Sequence, residues 1–408
     1  MKITVSNGFA REAPAVGSLA MRRLVLVGVA VCLVCGAMVW ADEQVAGDAE
    51  QLRVAIGGAK AGDVILLAPG EYRGGLYIGG LSGTKDQPIV IKGRDVENPP
   101  VFFAGGGQAM HLADCNYVTL ANLVVKGYTA NGINIDDGAS FETPSAGIVV
   151  DNVSIMETGP RGNHDGLKMS GVDRFVVRNC RFDGWGSSAI DMVGCHEGVV
   201  TGCVFVGREG FGQDNAVQMK GGSRAVLVER CLFRNAGQRA INCGGSTGLD
   251  YFRPRVGDYE AKDITIAGNR FVGGMAVLGW VTTDGGWVHH NTIILPEKWV
   301  LRILQETRNE RFRPSHGGVF EDNVVVYDSR VSVFVNIGPG TAPETFAFRR
   351  NAWCPVGGAQ KPDLPTVEDG GVYGVTLTRA QIDLEKGDVQ LNDARLDGKG
   401  AGAHCAQR

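Results

Sequence analysis

The chain has 408 residues with 60 glycines and 15 prolines, long enough for two or three ordinary domains or for one long repetitive one. Its 40 basic and 44 acidic side chains give a formal net charge of -4, without the concentrated positive charge that nucleic acid requires as a partner. No long apolar stripe of helical period runs through it, which argues against a helical bundle.

Residues 1–20 read as an upstream extension. Met21-Arg22-Arg23 is followed by the apolar run LVLVGVAVCLVCGAMVWA, which ends at Ala41, and then by Asp42-Glu43. A basic start, an apolar core and Val39 and Ala41 at its end make residues 21–41 an export signal, cleaved to leave Asp42 first. A membrane anchor is the competing reading, but the acidic residues beyond the run favour cleavage. The expected location is therefore periplasmic or secreted, with no stable membrane insertion.

Residues 52–72 read as a short capping helix, a Gly-Asp turn and a first strand, and PIVIKG (88–93) as the next strand. A series of similar short strands follows: VTLANLVV, IVVDNVSI, FVVRNCRF, GVVTGCVF, VLVERCLF, ITIAGNRF, GWVHHNTI, GVFEDNVVV and FAFRRNAW. Their alignment stacks Asn122, Asn152, Cys180, Cys203, Cys231, Asn269, Asn291, Asn323 and Asn351, at intervals of 22 to 38 residues. Self-similarity at this period marks a solenoid. With strands this short and helices missing, the expected fold is all-β: a single-stranded right-handed parallel β-helix with an N-terminal cap, spanning residues 42–355 in one elongated body. Inward Asn satisfies buried turn groups. Cys is a small apolar residue that tolerates burial, so the three cysteines read as packing rather than as redox or zinc ligands. After Cys354 the period fades, and residues 356–408 read as one more strand and a loosely packed tail.

A second ladder precedes the first within each coil: DGLKM (165–169), SAIDM (188–192), NAVQMK (215–220) and RAINC (239–243), continued by MAVLGW (275–280) and WVLRILQE (299–306). Period-2 alternation puts Leu167, Ile190, Val217 and Ile241 inside, with Lys168, Asp191, Gln218 and Asn242 facing solvent beside Lys220. Asp165, Asp214 and Arg239 flank the same coils. The insertion GGSTGLDYFRPRVGDYEAKD (244–263), with Tyr251, Arg253 and Glu260, is placed to wall a groove, and Trp280, Trp299 and Arg302 lie at its far end. Surface ion pairing is the bland explanation of such a column.

GDVILLAPGEY followed by GTKDQPIVIKG resembles the start of the pectate-lyase-like β-helix superfamily. Over residues 50 to 350 the chain more narrowly resembles the alginate lyase and chondroitinase B family of polysaccharide lyases. Met219-Lys220-Gly221-Gly222-Ser223 stands where that family has its lysine segment. Arg239 opens the next coil, ahead of Gly268-Asn269-Arg270-Phe271. The resemblance implies β-elimination from a uronic-acid-containing polysaccharide, with Lys220 as base and Arg239 neutralising the uronate or assisting the leaving group. Lys168, Asp165, Gln218, Asn242, Arg253 and Arg302 would then bind an acidic polysaccharide, and the chain would act as a monomer. No cofactor is required. The family often binds Ca²⁺, for which Asp191 and Asp214 are the weak ligands on offer, since Gln218 stands where a carboxylate is expected. Ala240 replaces the family's usual histidine. The other readings are a non-catalytic carbohydrate-binding or envelope structural protein and a glycoside hydrolase using Asp165 and Asp191.

Overall fold

A computed structural model describes residues 43–103, 105–396 and 400–403; the expected export signal, and with it the mature start at Asp42, lies outside the described residues. None of the described helices is long and apolar enough to cross a membrane.

The described residues form a right-handed parallel β-helix. One face is a sheet of ten strands in chain order: β1 (Leu76–Gly79), β2 (Met110–Ala113), β3 (Ile133–Asp136), β4 (Leu167–Ser170), β5 (Ser188–Val193), β6 (Asn215–Lys220), β7 (Arg239–Gly244), β8 (Ala276–Val281), β9 (Trp299–Leu304) and β10 (Val335–Ile337). A second sheet of 22 strands takes two short strands from most coils, such as Val199–Thr201 and Val204–Val206 on either side of Gly202. Short bridges close the third side, as in Asp173–His196–Arg224.

The register stacks like on like. Leu167, Ile190, Val217, Ile241, Leu278, Leu301 and Val335 occupy one inward column. Phe182, Phe205, Phe233 and Phe271 stack ring on ring, with centroids 5.0, 4.7 and 4.7 Å apart. Offset contacts of this kind add to the burial of each ring. At the N-terminal end, α1 (Ala49–Gly58) is capped by the Asp48 carboxylate, which accepts from the Glu50 and Gln51 amides, and it buries Leu52 and Ala55 over the first coil. The expected cap is therefore present. A strand at Glu43–Ala46, pairing with Val64–Leu67, joins it.

The inner ladder differs from the expected alignment at its start. Asn122 and Asn152 sit one position earlier, at the bend, with φ of 55° and 51°. Their amides meet each other at 2.9 Å on the outside. Leu123 and Val153 occupy the inward position in those coils. The bend residue of nearly every coil lies in the left-handed region, which Asn and Gly tolerate best, so these two asparagines answer a backbone requirement rather than a core one. From Cys180 onward the alignment holds, and the cysteines described are free and buried.

Asn269, Asn291, Asn323 and Asn351 form a continuous chain. Each Nδ2 donates to the next Oδ1 at 2.9–3.0 Å, and the last donates to Glu368 Oε1 at 2.7 Å. Each Oδ1 in turn accepts from a backbone N–H of the preceding coil. Replacing Asn291 by Leu strands those groups, and it should lower stability by about 1–3 kcal/mol. An unchanged urea midpoint in the variant would contradict this.

The described part of the C-terminal tail, through Ala403, is not loosely packed. Val372, Val375, Leu377, Ile382, Val389 and Ala401 bury themselves on the outer side of the late coils, against Ile294, Val324, Val326, Ala352 and Cys354. Those strands are apolar on both faces because the tail shields the outer one from water.

Candidate functional site

The outward residues of the ten-stranded sheet do not follow simple alternation. Five coils carry two of them, three positions apart, with a small or branched inward residue after the first: Asn131/Asn134, Asp165/Lys168, Asn215/Gln218, Arg239/Asn242 and Trp299/Arg302. Every one of these pairs touches: Lys168 Nζ donates to Asp165 Oδ2 at 3.0 Å, Arg239 NH1 to Asn242 Oδ1 at 3.2 Å, Asn131 Nδ2 to Asn134 Oδ1 and Asn215 Nδ2 to Gln218 Oε1 at 3.4 Å, and the Arg302 guanidinium lies over the Trp299 ring. The second member of each pair falls in a single register column: Tyr77, His111, Asn134, Lys168, Asp191, Gln218, Asn242, Gly279, Arg302 and Asn336.

This column was expected to face solvent. It points away from the core, but its short members are covered: Asp191 is 1% exposed, Gln218 8% and Asn242 0%. Longer cations beside them close over them. Asp191 sits between two ammonium groups, with Lys168 Nζ 2.5 Å from Oδ2 and Lys220 Nζ 3.1 Å from Oδ1. Lys220 Nζ also donates to Gln218 Oε1 at 3.2 Å. Asp165, fully buried, accepts from Lys168 and from the Ser188 amide.

Burial pushes the Asp165 carboxyl above its usual range and the charge of Asp191 adds to it, against Lys168. Burial also works against ionisation of Asp191, but Lys220 and Lys168 outweigh it and hold the carboxyl low. Lys168 is desolvated too, yet Asp191 and Asp165 raise it above the ordinary lysine value. The result is a line of alternating charge: Asp165, Lys168, Asp191, Lys220.

Lys168 and Lys220 form part of a cavity of about 420 Å³, lined also by Asn163, Thr247, Tyr251 and Arg253. Its wall is the 244–263 segment, as expected, and buried Glu260 anchors it. That carboxylate accepts from the Gly221 amide at 2.8 Å, and at 2.7 Å from the Thr247 amide, Thr247 Oγ1 and Thr307 Oγ1. Gly221, directly after Lys220, takes φ of +61° to make the turn.

Other expected site residues are placed differently. Arg253 is only 9% exposed, and its guanidinium is committed to Asp137 at 2.6 Å and stacked over Phe141. It pins the loop rather than offering a free fork to a ligand. Arg239 does not line the Lys220 cavity; it lies one coil further along, on Asn242 and on Glu306 at 3.1 Å. Arg302 stacks over Trp299 and donates to Asn336 Oδ1. Burial and the charge of Arg239 both press its pKa down.

Asp214 is exposed, outside this charge line, and accepts from Gln238 at 3.1 Å. Its pairing with Asp191 as a metal site therefore fails. Ca²⁺ takes about six to eight oxygen ligands, whereas both Asp191 oxygens face ammonium groups and Gln218 Oε1 accepts from Lys220 and Asn215. The residues present do not fit that ion. Asp165 and Asp191 likewise fail as a hydrolytic pair, since both are closed off with Lys168 between them.

Among solved structures the chain is similar to an alginate lyase from Paenibacillus sp. str. FPU-7, at 17% identity over 73% of this chain and 96% of that one, with a TM-score of 0.43. It is also similar to the pectate lyase Pel9A, at 10% identity over 86% and 88% with a TM-score of 0.48. A third is a GH136 lacto-N-biosidase from Eubacterium ramulus, at 14% identity over 79% of this chain and 63% of that one, with a TM-score of 0.47. No curated protein matches the sequence. The family model described as "Right handed beta helix region" matches residues 79–293, more than half of the chain, and the chain belongs to that family.

Proposed function

We propose that this chain is an exported polysaccharide lyase that binds an acidic polysaccharide along the ten-stranded face and cleaves it by β-elimination. The observation that carries this reading is the cavity lined by two lysines, Lys168 and Lys220, that flank one buried carboxylate, Asp191. The cationic pair Arg239 and Arg302 lies further along the same face. Coils stand roughly 4.8 Å apart, so a sugar chain lying across them meets successive side chains.

In the reaction, Lys220 Nζ first gives a proton to solvent and then, as the neutral amine, takes the C5 proton of a uronate. The C5–H electron pair becomes the C4=C5 double bond, and the C4–O bond breaks with its electrons going to the leaving glycosidic oxygen, which takes a proton from solvent. Charge builds on the uronate carboxylate as this happens, and fixed cations stabilise it. Lys168, held charged by two carboxylates, suits that task. Arg239 either shares it or assists the leaving group.

The test is absorbance near 235 nm during incubation with alginate, pectic and glycosaminoglycan polymers. Elimination leaves an unsaturated sugar that absorbs there. A second reading, non-catalytic binding of the same polymers, is favoured by the 3.1 Å ion pair between Lys220 and Asp191, because a lysine so paired donates rather than accepts. Binding with no rise in absorbance would select it.

A further inference from the structure

The line of charge from Asp165 to Lys220 also bears on what balances the ligand's own charge. Lys168 Nζ lies 3.0 Å from Asp165 and 2.5 Å from Asp191, two carboxylates that the fold buries almost completely. Neither carboxylate has a free oxygen directed at the cavity. Asp165 Oδ1 accepts from the Ser188 amide, and both oxygens of Asp191 face ammonium groups. The ammonium of Lys168 itself does reach the cavity, beside Lys220.

We infer that Lys168 is a fixed ammonium, built into the sheet, that supplies the positive charge a bound divalent cation would otherwise place against a uronate carboxylate. The site then works without metal. Asp165 and Asp191 serve Lys168 rather than a cation: they keep it charged and hold it in one position by two charge-assisted hydrogen bonds. A calcium ion at Asp191 would have to displace two ammonium groups that already neutralise the carboxylate. Placed instead beside Lys168, it would meet like charge.

This inference rests on the uronate reading of the ligand, but its test does not need turnover. Binding of alginate and polygalacturonate oligomers to the whole chain is measured by calorimetry, in EDTA and in millimolar CaCl₂, alongside thermal melting in the same buffers. Equal affinity and equal Tm in both buffers are expected. Lys168→Met should weaken binding by at least about tenfold, and Lys168→Arg, which keeps the charge, should recover most of it. Oligomer binding or a Tm that requires calcium would overturn the inference even if elimination is observed. So would a folded Lys168→Met protein that binds as wild type does. If Lys168→Met fails to fold, the Arg variant and the calcium comparison still decide. Calcium-independent binding that needs charge at position 168, without any absorbance at 235 nm, would overturn the lyase reading and leave this inference standing.

Discussion

Lys220→Ala is expected to remove turnover while leaving the fold intact. General base catalysis by a positioned side chain is worth about 10²–10⁴ in rate, so the initial slope at 235 nm should fall at least that far. The fold should survive because Asp191 keeps its other cation, Lys168, at 2.5 Å. Circular dichroism checks this. Lys220→Arg sharpens the test: it preserves the positive charge, but a guanidinium gives up no proton near neutral pH. An inactive Arg variant would assign proton transfer to Lys220, whereas an active one would assign charge alone. Wild-type kcat in the Ala variant would remove Lys220 from the chemistry. Arg239→Lys, by contrast, should retain part of the rate, since charge persists and only the forked donor geometry is lost.

Glu260→Ala carries the largest expected effect on stability, about 3–5 kcal/mol. The side chain is fully buried and accepts four hydrogen bonds, two of them from backbone amides at Gly221 and Thr247. Without it those amides face no partner, each at a penalty of about 1–3 kcal/mol, and an empty volume is left behind. The urea midpoint should drop, and KM for the polymer should rise because the 244–263 wall and the turn after Lys220 lose their common anchor. Glu260→Gln should be intermediate, since its amide presents hydrogen donors to groups that also donate. A Glu260→Ala protein as stable as wild type would mean that the loop is held by Arg253–Asp137 alone.

Much of the fold was legible because the β-helix repeats its inward columns at short intervals. Leu167, Ile190, Val217 and Ile241 align in the sequence as they stack in the structure. Where the reading slipped, two demands coincided on one residue type. Asn122 and Asn152 look like the inner asparagines but serve the bend, where a left-handed backbone favours Asn. The solvent-facing column was read from alternation alone, which carries no information on whether long neighbours fold over short ones. The packing of the tail was not legible from its own composition, although Thr292–Ile294 and Val324–Tyr327 carry apolar residues at both parities, the signature of a strand covered on both sides.

For the site, sequence brought Lys168, Asp191, Gln218 and Lys220 to one face, and the structure keeps them together. It did not foresee that Arg253 would be consumed by Asp137, a partner 116 residues away whose pairing depends on how the loop folds back. The spacing of three in Asp165/Lys168 and Arg239/Asn242 was available and points to a departure from strict alternation after the first outward residue.

Glu368 gives the molecule a terminus in a further sense. The asparagine amides from Asn269 to Asn351 form a directional relay in which each hands a proton-donating group to the next oxygen. An open end of such a relay would leave a buried amide without an acceptor. A carboxylate breaks the relay because it only accepts. Glu368 takes the last amide at 2.7 Å, takes the Trp353 indole at 2.8 Å, binds the Tyr373 hydroxyl, and passes no donor onward. The ladder therefore ends on an acceptor whose two oxygens are already engaged, and Asn351 offers no unpaired amide at that end.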